Sequence, residues 1–497
     1  MKYILIFVMF SALIMFPSLA GAGISFERTY GGTHSDQGYS VAQTQDNGYI
    51  VTGHTNSYSV GISDVYVIKT DSLGDTLWTK TFGDSGLDVG NSVIQTADGD
   101  YLITGSYDNY YSKGLYDVYL IKLDSSGSTL WTRTYGYYGH ESGTSIIQNS
   151  DGMYTIAGIA SSPGTRGIDI FLMKVDSIGD TLWTNIYNSS GTEFIRSFNE
   201  TTDGGYIIVG QKDDGSGEYD VYLVKTDSKG NLKWKKTYGG TSNDIGNSVI
   251  QVSDGGYLIS AYTESYGADS GNIWLIKTDS LGDTLWTEMH GGTGPDIAMV
   301  IISIPDNGYC LAGASGSYGS GLSDFYLEKT DSLCNTIWHR TYGGTEEELC
   351  WSAAPTSDGG FVMAGYTNSF GAGESDFYLI KTDSLGNVAG VEEQKDLRHK
   401  TLDLRLTIHP NPFTTSTTIT LSSAQVHKNT RAQDIELNIY DVSGRIVRTF
   451  PSSLFTHHSS VYWDGTDNAH KKLAGGVYFL KFRAGDYEET KKLMLIR

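Results

Sequence analysis

Apolar and polar positions alternate in short runs along most of this chain. Between residues 247 and 290 four runs follow one another, at 247–252, 256–261, 272–278 and 284–290. The third alternates around Trp274 and Ile276, and the fourth carries Trp286. A period of two predicts half-buried strands. Asp254-Gly255 and Gly282-Asp283 separate the runs, and such dipeptides between β-branched or aromatic segments are hairpin signals. No window sustains a helical period. The expected fold class is all-β.

The pattern then repeats. A Lys-x-Asp step places Asp71, Asp124, Asp176, Asp227, Asp279, Asp331 and Asp383 at intervals of 51 to 53 residues. Four strands in a unit of this size predict one blade of a β-propeller. The last unit stops at Val388 without a Trp-bearing strand. The first opens with only that strand, residues 24–32, and Phe26 falls where Trp78, Trp131, Trp183, Trp234, Trp286 and Trp338 fall elsewhere. The expectation is a seven-bladed β-propeller over 23–388, closed by its N-terminal strand, with no raw sheet edge at the join. Each Trp is expected to pack between blades, its indole N–H reaching a carbonyl.

The units resemble a bacterial β-propeller repeat family with the pattern GG-x(3)-D-x-G, then DG-x-Y-x-x-G, then D-x-x-x-x-K-x-D-x-x-G-x-x-x-W. In the fifth unit the matching residues are Gly239, Gly240, Asp244, Gly246, Asp254, Gly255, Tyr257, Lys277, Asp279, Gly282 and Trp286. The resemblance implies the fold and an extracellular setting, and no single activity.

Composition adds an export route and a second domain. Residues 1–22 read as a signal peptide: Lys2, an apolar run over 3–16, then Ala20-Gly21-Ala22. No later stretch is long and apolar enough for a transmembrane segment. The 497 residues carry a formal charge of −22, which argues against nucleic acid as a partner. That charge is uneven. Residues 395–497 hold 15 of the 35 basic and 10 of the 57 acidic residues, leaving 20 basic against 47 acidic in 1–394. A linker is expected over 389–406. Cys310, Cys334 and Cys350 occupy positions held by other residues in sister units, so they do not read as a disulfide framework.

From 407 to 497 the repeat is gone. Short strand-like runs at 417–421, 435–440, 444–449, 461–463, 476–483 and 491–496 fit a small Ig-like β-sandwich. The segment resembles the C-terminal sorting domain of proteins exported by the type IX (Por) secretion system. Pro410-Asn411-Pro412-Phe413, the run from Ile439 to Gly444-Arg445, Trp463-Asp464-Gly465, Gly475-Gly476-Val477-Tyr478-Phe479 and the ending from Lys491-Lys492 to Arg497 carry the likeness. It implies docking on the type IX translocon and release to the outer cell surface or beyond. The exposed Lys and Arg would then serve recognition.

Candidate chemistry sits on loops. The links between second and third strands vary in length and hold Tyr58, Tyr107, Tyr110, Tyr111, Tyr266, Tyr318 and Phe370. Variable aromatic loops on a rigid frame suit an extracellular glycan or protein. One acid recurs at a fixed offset in every unit: Asp36, Asp88, Glu141, Glu193, Asp244, Asp296 and Glu348. Seven such carboxylates could hold Ca²⁺, or each could cap its own loop by accepting backbone N–H groups. No HExxH or GxSxG is present. The expected function is non-catalytic binding, and the alternative is a polysaccharide-active hydrolase or lyase on the same face.

Overall fold

The computed structural model describes residues 24–496 apart from 109–115, 137–138, 162–166, 188–190, 214, 216, 268–270, 389–403, 410–412, 424–434, 443, 451–458, 470 and 485–486. The expected signal peptide lies outside the described residues. So does the expected linker, except 404–406, which belong to a strand, Leu404–His409. The chain divides into two compact units, Met1–Gln394 and Lys395–Arg497.

Among its described residues the first unit contains seven four-stranded antiparallel sheets. Six are consecutive: 36–82, 89–135, 141–187, 193–238, 244–290 and 296–342. The seventh is not. It takes three strands from 348–382 and its fourth from the N-terminus, Phe26–Tyr30, which pairs with Asp376–Thr382. Repeated sheets of this kind resemble propeller blades. In the fifth sheet the third and fourth strands run Asn272–Thr278 and Thr284–His290, as the alternation predicts. The first starts earlier than expected, at Asp244, because the recurrent acid is already inside the ladder.

Each sheet grades from a partly buried first strand, through two almost wholly buried strands, to an exposed fourth. Tyr49–Thr55 and Asp64–Thr70 are buried nearly throughout, whereas Thr76–Phe82 buries little beyond half of Trp78. The middle strands therefore read as near-continuous apolar runs, because both their faces meet neighbouring sheets.

Two devices stiffen every repeat. The Lys of Lys-x-Asp, buried in five repeats and half-buried at Lys174 and Lys329, reaches back to the Asp of the first hairpin turn: Lys69 to Asp46 at 2.9 Å, Lys225 to Asp203 at 2.9 Å, Lys381 to Asp358 at 2.9 Å. Lys69 also donates to the Thr70 carbonyl. The Asp of Lys-x-Asp closes the second hairpin, Asp71 Oδ1 accepting the N–H groups of Leu73 and Asp75. Gly282 sits in the equivalent turn at φ +80°, a conformation that favours glycine, and the Trp234 ring packs on it. Cys334 holds that turn position in the sixth sheet at φ +64°.

The tryptophans differ from expectation in one respect. They are half-buried, and the hydrogen bond from their strand to the next sheet's turn comes from the tyrosine four residues on. Tyr238 donates to the Gly282 carbonyl at 2.7 Å, Tyr187 to Gly230 at 2.7 Å and Tyr342 to Gly386 at 2.6 Å. Tyr30 of the N-terminal strand does the same to Gly74 at 2.6 Å. The indole presents ring carbons to the turn glycine, as Trp234 does to Gly282 and Trp183 to Gly230.

The second unit places a three-stranded and a four-stranded sheet around one core that includes Phe413, Ile439, Trp463, Tyr478, Phe482 and Leu495. All three cysteines are buried and free, as their irregular positions suggest. Among the described residues no helix is long and apolar enough to cross a membrane.

Candidate functional site

The variable loops and the recurrent acids lie at the same ends of the strands, and the structure ties them together. In Asp36 the carboxylate accepts from the Thr55 hydroxyl and the Ser57 N–H on one oxygen, and from the Gly32 N–H at 2.8 Å and the Ser57 hydroxyl at 2.6 Å on the other. Asp296 takes the Gly292 N–H at 2.7 Å and the Ser317 hydroxyl at 2.6 Å, and Glu348 takes the Gly344 N–H at 2.8 Å and the Thr367 hydroxyl at 2.7 Å. All seven acids, Asp36, Asp88, Glu141, Glu193, Asp244, Asp296 and Glu348, are buried. Asp88, Asp244 and Glu193 accept from the Asp84 N–H, the Ser265 hydroxyl and Lys212 respectively. The bonds from Gly32, Ser57, Asp84, Ser265, Gly292, Ser317 and Gly344 are loop caps, whereas Lys212 pairs with Glu193 from the neighbouring strand. Among the described residues no three His, Cys, Asp or Glu side chains converge as a metal would require.

The first D of the D-x-x-x-x-K-x-D pattern, an acid in six sheets and Asn272 in the fifth, lies at the same strand ends, and sequence reasoning assigned it no role. The third strand opens with Asp64, Asp117, Asp169, Asp220, Asn272, Asp324 or Asp376, always five positions before the Lys. That fixed offset was the available signal. A methyl group built on Gly83 would meet Asp64 Oδ1 at 2.6 Å and Asp88 Oδ2 at 2.4 Å, so the two oxygens approach within about 5 Å across the seam between sheets. Gly31 lies in the same way between Asp376 and Asp36, and Gly343 between Asp324 and Glu348. Burial, with added repulsion from Asp84 and Asp64, pushes the Asp88 carboxyl up to about 6. Asp64 and Asp376 are raised as well, by burial first and then by Asp84 and Asp36 respectively.

The loop aromatics are anchored. Tyr58 donates its hydroxyl to the Gly31 carbonyl at 2.7 Å, Tyr266 to Gly239 at 2.7 Å and Tyr318 to Gly291 at 3.1 Å. Their rings lean on Tyr66, Trp274 and Tyr326, and Phe370 leans on Tyr378. Tyr107 instead donates to Asp84 at 2.7 Å. Tyr110 and Tyr111 lie outside the described residues. The anchored rings are not fully covered: Tyr58 is 48% exposed, Tyr266 43% and Phe370 42%. A shallow cavity of about 430 Å³ opens beside Tyr58, lined also by Tyr66, Thr79, Lys80 and Thr81. It brings an aromatic face, hydroxyls and an ammonium together. Of the described nominated aromatics, Tyr58 alone lines this cavity.

In the second unit the sorting residues are mostly structural. Trp463 is buried and donates its indole N–H to the Thr466 carbonyl at 2.9 Å, and Tyr478 donates to Ala474 at 2.7 Å. Gly444 and Gly465 occupy turns at φ +81° and +70°. Arg445 pairs with Asp441 at 3.1 Å. Gly476 opens the strand Gly476–Ala484, which pairs with Tyr487–Leu495. On that last strand Lys492 is exposed and Lys491 half-buried. Pro410, Asn411 and Pro412 lie outside the described residues.

Comparison with known proteins bears on this tail first. Residues 407–496 match the secretion system C-terminal sorting domain family. That domain marks the chain for export by type IX secretion to the cell surface or extracellular space. The regulatory protein FlaEY of Caulobacter vibrioides is 26% identical over 252 residues, 48% of this chain. The chain spans 24% of the length of that relative. Among solved structures, the WD40 domain of Neurospora crassa Pan2 is 8% identical with a TM-score of 0.43, covering 71% of this chain and 89% of its own. PorZ, a surface component of the type IX secretion system of Porphyromonas gingivalis, is 10% identical with a TM-score of 0.25, covering 93% and 81%.

Proposed function

We propose that residues 23–388 form a closed seven-bladed β-propeller, displayed at or beyond the cell surface, whose loop-bearing face binds an extracellular glycan without turning it over. The signal peptide 1–22 takes the chain across the inner membrane, and an Ig-like domain over 407–497 engages the type IX translocon. The observation that carries the binding reading is the half-exposed Tyr58 ring beside Lys80, Thr79 and Thr81 at the 430 Å³ cavity. A flat aromatic face flanked by donors suits a sugar ring, whose C–H face stacks while its hydroxyls bond. Shallowness suits retention of a polymer chain.

The hydrolase or lyase reading finds less support. Glycoside hydrolysis needs two carboxyl groups facing the scissile bond. The acids that approach one another here, such as Asp64 with Asp88, are buried beneath the loops, and each accepts a loop N–H.

A glycan array probed with the full-length chain tests the reading. Specific retention, lost in Tyr58→Ala and weakened in Lys80→Ala, supports it. A blank array sinks the glycan reading and turns the search to protein partners. Release of products from a retained polysaccharide would replace binding by catalysis.

A further inference from the structure

The acid pairs at the seams pose a charge problem that the chain solves in different ways at different sheets. Two ionised carboxylates buried within about 5 Å of each other repel strongly, and one of them must lose its charge or gain a counter-charge. At the third seam the chain supplies the counter-charge: Lys212 stands 2.8 Å from Glu193, where four sister units place Thr55, Thr263, Ser315 or Thr367 and the other two Tyr107 and Ala160. At the fifth seam Asn272 stands at the position of the third-strand acid, a neutral amide in place of a carboxyl. Between Asp64 and Asp88 neither device is present.

The hydrogen bonds there are lopsided. Asp88 accepts the Asp84 N–H on Oδ2 and the Asp108 N–H on Oδ1. Asp64 is 1% exposed and accepts the Val60 N–H on Oδ2. Its Oδ1 has no partner and points at the space over Gly83 into which Asp88 Oδ2 also points. A bare carboxylate oxygen so placed would face another carboxylate. A protonated one would be a donor facing an acceptor, which satisfies both atoms.

We propose that Asp64 is a carboxylic acid in the folded chain and donates its proton across the seam to Asp88, and that Asp376 does the same toward Asp36. The seam is held by a proton drawn from solvent and released when the pair ionises. Asn272 is then a permanent copy of the protonated state. The groups around the first pair do not supply a cation. They are Asp84 and Asp108 from the loops and Tyr107, Tyr116 and Tyr119 from the second sheet and its loop, with His140 near Asp108 and its pKa lowered by burial. Around Asp36 stand Tyr66 and His54, the latter also pushed toward neutrality by burial. Folded-state proton affinity above the unfolded value makes the seam tighter in mild acid and weaker as pH rises.

The test is thermal melting of the full chain and of Asp64→Asn at about pH 5 and about pH 8, with infrared spectra of both. The expected result is a wild-type Tm that falls toward the higher pH, a smaller fall in Asp64→Asn with a Tm at least equal to wild type at pH 8, and a protonated-carboxyl band that loses intensity in the variant. Should Asp64→Asn not fold, Asp376→Asn and the wild-type infrared band carry the same test. An unchanged pH dependence in the variant overturns the proposal, as does absence of the band. A wild-type Tm at pH 8 that rises with millimolar CaCl₂ and falls with EDTA also overturns it, because the counter-charge is then a metal ion.

Discussion

Gln43 and Ser357 meet across the join of the first and seventh sheets, the Gln43 carboxamide oxygen accepting the Ser357 N–H at 2.8 Å. The same bond links Gln95 to Gln45, Gln148 to Ala97 and Gln251 to Thr202 at sequential seams. Ser352 likewise accepts the Val41 N–H as Ser40 accepts that of Val93. The first and seventh sheets therefore share bonds of the kind found between sequential sheets. Deleting residues 24–31 should leave the seventh sheet with three strands and expose the Phe377–Thr382 edge. We expect a large loss of Tm and aggregation on heating. Gln43→Ala removes one neutral hydrogen bond and should cost only about 1 kcal/mol. Urea melts of the two variants check the contrast.

The buried Lys ends make stability fall in strong acid. Burial raises the Asp203 carboxyl, but the Thr201 hydroxyl, Lys225 and the Gly205 N–H outweigh it and bring it down to about 2. A carboxylate depressed in the folded state contributes stability that is present above its unfolded pKa and lost as pH falls through the folded one. Asp46, Asp98, Asp254 and Asp358 are lowered in the same way. Melting temperature should therefore drop steeply between about pH 4 and pH 2. Asp203→Asn should reduce that drop while lowering Tm at neutral pH. The raised acids at the seams oppose this trend at higher pH, so the optimum should lie in mild acid.

His290 and Glu328 form a buried pair at 2.8 Å between the fifth and sixth sheets. Tyr326 donates to Glu328 at 3.0 Å and the Thr336 hydroxyl also reaches it. Burial alone would lower the His290 pKa, but Glu328 and Glu288 outweigh it and hold it above its ordinary value. A raised histidine contributes stability that is complete below its unfolded pKa and lost as pH rises through the folded one. Glu328→Ala should cost about 3–5 kcal/mol, as breaking a buried pair does. Sister sheets hold Tyr and Ile at these positions, as in Tyr238 and Ile276. The double change His290→Tyr with Glu328→Ile should be neutral or stabilising and should remove the histidine's share of the pH dependence. Denaturant melts across pH distinguish the two variants.

The turn glycines should not tolerate a side chain. A Cβ on Gly282 would lie 2.9 Å from the Trp234 ring, at φ +80°. Gly282→Ala should cost about 1–3 kcal/mol through strain and displacement of that ring. Gly255, with φ +84° and nothing within 4 Å of an added Cβ, carries only the backbone penalty and should cost about 1 kcal/mol when changed to Ala. Tm and tryptophan fluorescence separate displacement of the ring from backbone strain alone.

The repeat was legible because each unit must solve the same local problems with the same residues. Alternation gave the strands, Asp-Gly and Gly-Asp gave the hairpins, and the split between residues 24–32 and 388 pointed to the shared seventh sheet. The motif strings of the tail likewise found a matching family over 407–496. Sequence reasoning could not assign work to the recurrent Lys, because its partner lies 22 to 24 residues back in the hairpin turn. It also singled out Tyr58, Tyr266 and Tyr318 as free binding faces. Their hydroxyls are spent on the carbonyls of Gly31, Gly239 and Gly291, 27 residues earlier.

The chain by itself therefore determined its strands, turns, repeat length and export tail, since those depend on neighbours within a hairpin or on short contiguous motifs. Only the tertiary structure decided which side chains meet across seams. Asp64 facing Asp88, His290 facing Glu328 and Gln43 facing Ser357 belong to different sheets, and their encounter depends on how twisted sheets pack face to face. No local period encodes that packing, because it is set by burial of both faces of the middle strands at once.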